Sequence, residues 1–304
     1  MTERSGMLCV LPTRPLNPIA VSVIREVDAV AQALHLSYFL IGAMARDVLL
    51  GHVFGLDTGR ATRDMDFAFA LAGWEQFQQL QERLIAGGHF VAVRDIMHRL
   101  LFRPGSDALE YIVDLLPFGG VEQPAHTIAW PPDMQILMNV AGYRDVLETA
   151  PLVQVATGLI IRVVSLPGLA MLKLFAWQDR GLEGGKDAID LVTLCQKYSE
   201  AADNENRLFG EDLVAFQAVD FNMELAGAWL LGKDMAATAS PQIRVQLQGL
   251  LSDAHVSKRL VNDMVKAIRS QEDAVIYAEQ LLDQFTKGFA SEVDHESKAN
   301  PEAS

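Results

Sequence analysis

Apolar residues recur at Val21, Ile24, Val27, Ala31 and Leu34, and this spacing predicts an amphipathic helix over residues 21–34. The period then changes. Residues 37–42 form a short apolar and aromatic run that ends in glycine, which predicts a buried strand. Helical spacing returns over 43–50 and is expected to stop at Gly51. Residues 52–63 are polar and carry Gly55, Asp57, Thr58 and Gly59, so a loop is expected there. A second strand follows over 64–70, then an amphipathic helix over 74–86 closed by Gly87 and Gly88. Three further strands are predicted over 90–94, 99–103 and 111–116, with Pro104, Gly105, Ser106 and Asp107 turning the chain between the last two. Residues 1–17 lack periodicity and read as an irregular arm.

Glycine and proline make 117–133 a long loop, and 142–164 alternates as further strands with a turn at Gly158. Ser165, Leu166, Pro167 and Gly168 open a helix, since serine caps and proline is tolerated in a first turn. From there the pattern is helical throughout, with runs over 213–229, 242–251, 256–268 and 274–285 punctuated by Gly232 and Pro241. Residues 290–304 are polar and are expected to be disordered. The expected class is α+β: a mixed β-sheet flanked by helices over 1–164, an all-helical region over 165–290, and a tail over 291–304.

Composition narrows the function. Half of the residues are hydrophobic and 21% are charged, as in a soluble globular chain. No apolar run reaches the ~18–20 residues of a membrane span. The apolar stretch from Met7 to Leu11 is too short for a secretion signal and is stopped by Pro12, so a cytoplasmic protein without a membrane partner is expected. Cys9 and Cys195 stand far apart and read as reduced thiols; the seven histidines show no zinc-binding spacing. Net charge is −14, with the larger share of the excess after residue 200. That balance disfavours non-specific nucleic-acid binding, so DNA is not an expected partner, while small acceptors, proteins and tRNA ends stay open.

The chemistry concentrates between residues 39 and 69. Asp64 and Asp66 alternate with apolar residues in one strand, so both side chains point to the same face, with backbones about 6–7 Å apart. Carboxylates that close repel one another unless a cation lies between them, and Mg²⁺ takes hard oxygen ligands and shares them with phosphates. Gly42 before a helix supplies either a tight turn or a backbone cradle for an anion. Arg60 and Arg63 flank the Asp-x-Asp and are either phosphate contacts or surface charges. Asp114 lies within the apolar strand over 111–116, which suits either an edge residue facing solvent or a third metal ligand. Lys173 interrupts an apolar helical segment, where a lysine can snorkel to the surface. Asp187 and Asp190 share a face near a helix N-terminus, where negative charge is favourable.

A glycine turn after a strand, followed by Asp-x-Asp on the next, resembles the DNA polymerase beta-like nucleotidyltransferase superfamily. The run Gly42, Ala43, Met44, Ala45, Arg46, Asp47 is similar to the Gly-Gly-x-x-Arg-Asp of tRNA nucleotidyltransferases and poly(A) polymerases, with alanine in place of the second glycine. Leu172, Lys173, Ala176 and Trp177 followed by Lys186, Asp187, Asp190 and Leu191 resemble the second half of AbiEii-type abortive-infection nucleotidyltransferase toxins. The resemblance implies a nucleotidyltransferase-type mixed sheet and Mg²⁺-dependent transfer of an NMP from an NTP, with two metal ions on Asp64, Asp66 and Asp114. It implies nucleotide contacts from Gly42, Ala43, Arg46, Arg60, Arg63, Lys173, Asp187 and Asp190. A toxin-like enzyme of this kind modifies a tRNA 3′ end or a protein and comes with an antitoxin. An aminoglycoside-type enzyme, or a non-catalytic nucleotide-binding protein on the same fold, are the alternatives.

Overall fold

A computed structural model describes residues 7–59, 62–105, 110–124, 126–183, 185–270 and 272–299, with side chains of the last helix as far as residue 293. The chain divides into two compact units, Met1–Ser165 and Leu166–Ser304.

The first unit runs β1 (Met7–Cys9), α1 (Pro18–Ala33), β2 (Ser37–Ile41), α2 (Gly42–Arg46), a π-helical segment (Asp47–Val53), β3 (Asp64–Leu71) and α3 (Trp74–Ala86). It continues with β4 (Phe90–Ala92), β5 (Arg99–Phe102), β6 (Tyr111–Gly119), β7 (Thr127–Ala129), β8 (Leu137–Asn139), α4 (Tyr143–Thr149), β9 (Leu152–Ala156) and β10 (Leu159–Arg162). Five strands form a mixed sheet in the order β2-β3-β6-β5-β4, in which only β3 and β6 are parallel. A second sheet orders β1-β9-β10 and meets the first through a bridge between Leu40 and Val163.

Local chemistry explains the elements that carry the site. Asn17 caps α1, accepting from the Ile19 N–H at 2.8 Å, and Pro18 fits the first helical position. In β3, Met65, Phe67, Phe69 and Leu71 are buried on one face, while Asp64 and Asp66 lie on the other. Phe39 meets Phe118 edge-on with ring centroids 6.0 Å apart, and Tyr38 stacks on Phe69 at 5.5 Å. These aromatic contacts lock β2, β3 and β6 together, and α1 packs against α3.

Several expected boundaries move. The irregular arm contains β1, which gains order only by pairing with β9 from far along the chain. The helix expected to end at Gly51 continues as a π-helix through it to Val53. β6 runs three residues further than its apolar run, through Pro117 to Gly119. Proline is tolerated there because the pairing with β5 covers only residues 111–114 of β6, so the missing N–H leaves no ladder bond unmade on that side. The loop expected over 117–133 holds β7, and the first part of 142–164 is helical as α4.

The second unit is helical: α5 (Leu166–Arg180), α6 (Gly185–Lys197), α7 (Asn204–Phe209), α8 (Leu213–Gln217), α9 (Met223–Thr238), α10 (Pro241–Ser252), α11 (Ala254–Ile268) and α12 (Ala274–Ala299). The run expected as one helix over 213–229 is split, because Asp220 and Phe221 take positive φ and Asn222 caps α9 from its side chain. Gly232, expected to break a helix, lies inside α9. A Cβ there would overlap the Phe285 carbonyl of α12, and one on Gly288 would overlap the Trp229 carbonyl of α9. The two helices thus cross backbone to backbone, which only glycine permits. α12 stays helical to Ala299, into the stretch expected as a tail from residue 291. Buried Leu281, Phe285 and Phe289 anchor it, and extending an anchored helix costs little. Among the described residues no helix is long and apolar enough to cross a membrane.

Candidate active site

Side chains from four neighbouring chain segments meet along one row of the five-stranded sheet. The register pairs Ile41 with Asp66, Asp66 with Asp114, and Asp114 with Arg99. Residues paired across strands share a face, so the row carries two carboxylates and a guanidinium side by side. Asp64 precedes Asp66 on the same face of β3 and is exposed; Asp66 is half-buried and Asp114 is buried.

Gly42 follows β2 directly, with φ +73°. A Cβ at this position would overlap Oδ2 of Asp66. Glycine therefore serves two needs at once, a left-handed turn and room for a carboxylate. Ile41, at the N-cap of α2, makes no side-chain cap bond.

Both oxygens of Asp114 are taken by Arg99, which donates from Nε to Oδ1 at 2.8 Å and from Nη2 to Oδ2 at 2.7 Å. This is the two-pronged pairing that guanidinium makes with carboxylate. The bonds to Asp114 hold the Arg99 pKa above its ordinary value; burial opposes them, and the charges of Asp114, Asp64 and Asp66 add to the rise. All three carboxylates thus act on one cation. Beside them, burial pushes the His98 imidazole below its ordinary pKa, against the Asp114 charge and together with that of Arg99. Its ring packs on Trp130, with centroids 5.0 Å apart.

Other expected site residues fall elsewhere. Arg46 is buried and donates from Nε and Nη2 to Asp47 Oδ1 at 2.9 and 2.6 Å, while Asp47 Oδ2 accepts from the Thr62 N–H. That pair ties the start of the π-helix to the residues entering β3. Ala43 is half-buried, and Arg63 is exposed on the rim of a cavity of about 820 Å³ that Asp47, His52 and Arg14 also line. Arg60 lies outside the described residues.

Lys173, Asp187 and Asp190 belong to the second unit and bind one another. Lys173 Nζ lies 3.0 Å from Asp187 Oδ1 and 2.6 Å from Asp190 Oδ2, and Arg180 reaches Asp187 Oδ2 at 2.6 Å. Burial alone lowers the Lys173 pKa; the charges and hydrogen bonds of Asp190 and Asp187 outweigh it and hold it above its ordinary value. The two cysteines are separate free thiols, Cys9 exposed and Cys195 buried, and burial pushes the Cys195 thiol up to about 12.

Asp64, Asp66 and Asp114 offer the hard oxygen donors that Mg²⁺ takes. The space left by the absent Cβ at Gly42 is filled by Oδ2 of Asp66, and Arg99, bonded to Asp114, also feels the charges of Asp64 and Asp66. The donor set therefore fits a divalent metal in kind. In arrangement the cation is Arg99, and among the described residues no three His, Cys, Asp or Glu side chains converge on a metal position.

Arg99 is the site residue that sequence reasoning missed. Its signal was a lone arginine opening an apolar strand next to the strand of Asp114. The long turn between β5 and β6 does not impose a register from sequence, as a two-residue hairpin would.

The family model described as the nucleotidyl transferase AbiEii toxin of type IV toxin–antitoxin systems matches residues 27–284. No curated protein matches the chain in sequence. Among solved structures, the antibiotic-resistance factor ANT(2'')-Ia is 19% identical over 67% of this chain and 97% of its own, with a TM-score of 0.36. An antigenic nucleotidyltransferase-like protein from Paracoccidioides brasiliensis is 16% identical over 68% and 95%, with a TM-score of 0.39. The Thermotoga maritima CCA-adding enzyme, solved with tRNA, is 12% identical over 92% and 83%, with a TM-score of 0.25. At these scores the structural likenesses carry no weight for substrate.

Proposed function

This chain belongs to the AbiEii nucleotidyltransferase family, and on that footing we propose that it moves an NMP from an NTP to an acceptor hydroxyl in a Mg²⁺-dependent reaction. The observation that carries this reading is the row of Asp66 and Asp114 on adjacent parallel strands, backed by Gly42, whose missing side chain leaves the space that the Asp66 carboxylate fills. In the reaction the acceptor oxygen bonds to the α-phosphorus. The bond from that phosphorus to the bridging oxygen breaks, and pyrophosphate leaves.

Asp64, Asp66 and Asp114 are the residues that would hold the metal. Mg²⁺, when bound, supplies charge neutralisation for the triphosphate and a lower pKa for the attacking hydroxyl. Asp114, the most buried of the three, would either ligate the metal that activates the hydroxyl or act as its base. The backbone at Gly42 and Ala43 would cradle the triphosphate, with Arg63 as an exposed charge beside β3. The protein's work is positioning and charge compensation, as phosphoryl transfer generally requires.

The acceptor proposed is a tRNA 3′ end or a protein, and a partner antitoxin is proposed with it. What supports the antitoxin is the family's description as a type IV toxin–antitoxin system. The test is transfer from each α-labelled NTP, with Mg²⁺, into a cell extract containing RNA and protein. Label is expected on one RNA or protein species and is lost in Asp64→Ala/Asp66→Ala. Absence of transfer from every NTP, with wild type folded and metal present, refutes the reading.

A further inference from the structure

Asp114 is one of the carboxylates that the proposed chemistry needs, and each of its oxygens already accepts a hydrogen bond. Arg99 holds Oδ1 at 2.8 Å and Oδ2 at 2.7 Å. The backbone fixes this pairing, because the two residues are direct partners in the antiparallel register of β5 and β6. The guanidinium is bonded to one carboxylate and feels the charges of the other two. It compensates Asp64 and Asp66 as well as its own partner, which leaves the cluster with a net charge of about −2.

A divalent metal needs the same oxygens and meets the same field. Both cannot hold Asp114 through two oxygens at once. The side chain of Arg99 is 32% exposed, against 12% for Asp114. The arginine therefore has solvent to move into, while the carboxylate stays in its strand.

We propose that Arg99 is a positioning residue that stands in for a divalent cation on Asp114, and that metal binding displaces it from that carboxylate. The inference rests on the nucleotidyltransferase reading of this site. In the metal-free chain Arg99 keeps Asp114 oriented and compensated, so its charge is tolerated inside the sheet. The same contact makes Arg99 a competitor of the metal and raises the metal concentration needed to assemble the site.

The test is Mn²⁺ binding to the full chain without nucleotide, read by the electron paramagnetic resonance signal of free Mn²⁺, for wild type and variants checked by circular dichroism. Wild type is expected to bind Mn²⁺ at a site that Asp66→Asn weakens. Arg99→Gln is expected to bind on the order of tenfold more tightly, since one positive charge leaves the cluster. Arg99→Lys, which keeps the charge and loses the two-pronged geometry, is expected to gain less, and it decides the matter if the glutamine variant does not fold. Adding Asp114→Asn to Arg99→Gln is expected to cancel the gain. Thermal stability supplies a second readout: metal-free Arg99→Gln melts lower than wild type, and added Mn²⁺ raises its melting temperature by more. Arg99 variants that bind Mn²⁺ no more tightly than wild type, beside label transfer that depends on Asp64 and Asp66, overturn this inference alone. Mn²⁺ binding indifferent to Asp66→Asn, together with absent transfer, overturns the reading beneath it as well.

Discussion

Gly42 and Asp66 are fitted to each other in the candidate site. The backbone at 42 is left-handed, and the space that a Cβ would fill holds the carboxylate of Asp66. An L-residue in that conformation is strained by about 1–2 kcal/mol. The greater effect is chemical, because Asp66 has to rotate away from its row. Gly42→Ala is therefore expected to keep the fold, with a melting temperature lowered by a few degrees, and to lose nucleotidyl transfer by a far larger factor. Transfer in Gly42→Ala within twofold of wild type would remove the steric role given to this glycine.

Elements show where sequence periodicity suffices and where it does not. The helix over 74–86 and the strand beginning at Asp64 stand where their apolar spacing put them, because each buries its own stripe on one face. α9 and α12 are different. Their crossing depends on Gly232 and Gly288, whose missing side chains let carbonyls of the partner helix approach. Either glycine replaced by alanine is expected to cost about 1–3 kcal/mol through overpacking. Chemical denaturation should report it as a lower midpoint with an unchanged slope, whereas an unchanged midpoint would mean the helices part easily. Lys173 on α5 is the only ammonium bonded to both buried carboxylates of α6 among the described contacts. Lys173→Met leaves Asp190 without that partner and Asp187 with Arg180, and is expected to cost about 3–5 kcal/mol. A stable Lys173→Met chain would show that these carboxylates accept protons or water instead.

The whole molecule is acidic, with a net charge of −14. Phosphate backbones repel such a surface unless a local patch of opposite sign intervenes. Random duplex DNA is accordingly expected to give no complex at about micromolar protein in physiological salt, as read by fluorescence anisotropy. A complex in that range would point to a basic surface strong enough to outweigh the total. The family itself is a property of the whole molecule, since the match spans residues 27–284 and thus parts of both compact units.

Sequence by itself determined the α+β class, the placement of Asp64 and Asp66 on one face, the turn at Gly42 and the helical second half. These follow from short-range rules: alternation in a strand, spacing in a helix, and the freedom of glycine. Only the tertiary structure decided which groups meet across strands. β1 forms because β9 comes back to it, Pro117 is admitted because β5 has ended, and Gly232 serves a helix crossing rather than a helix end. Asp114 is committed to Arg99 because an antiparallel register, which no local signal states, sets them opposite each other. A residue's own spacing along the chain reports the face it occupies. Its partner is set by how distant segments close, and on that partner the chemistry of Asp114 depends.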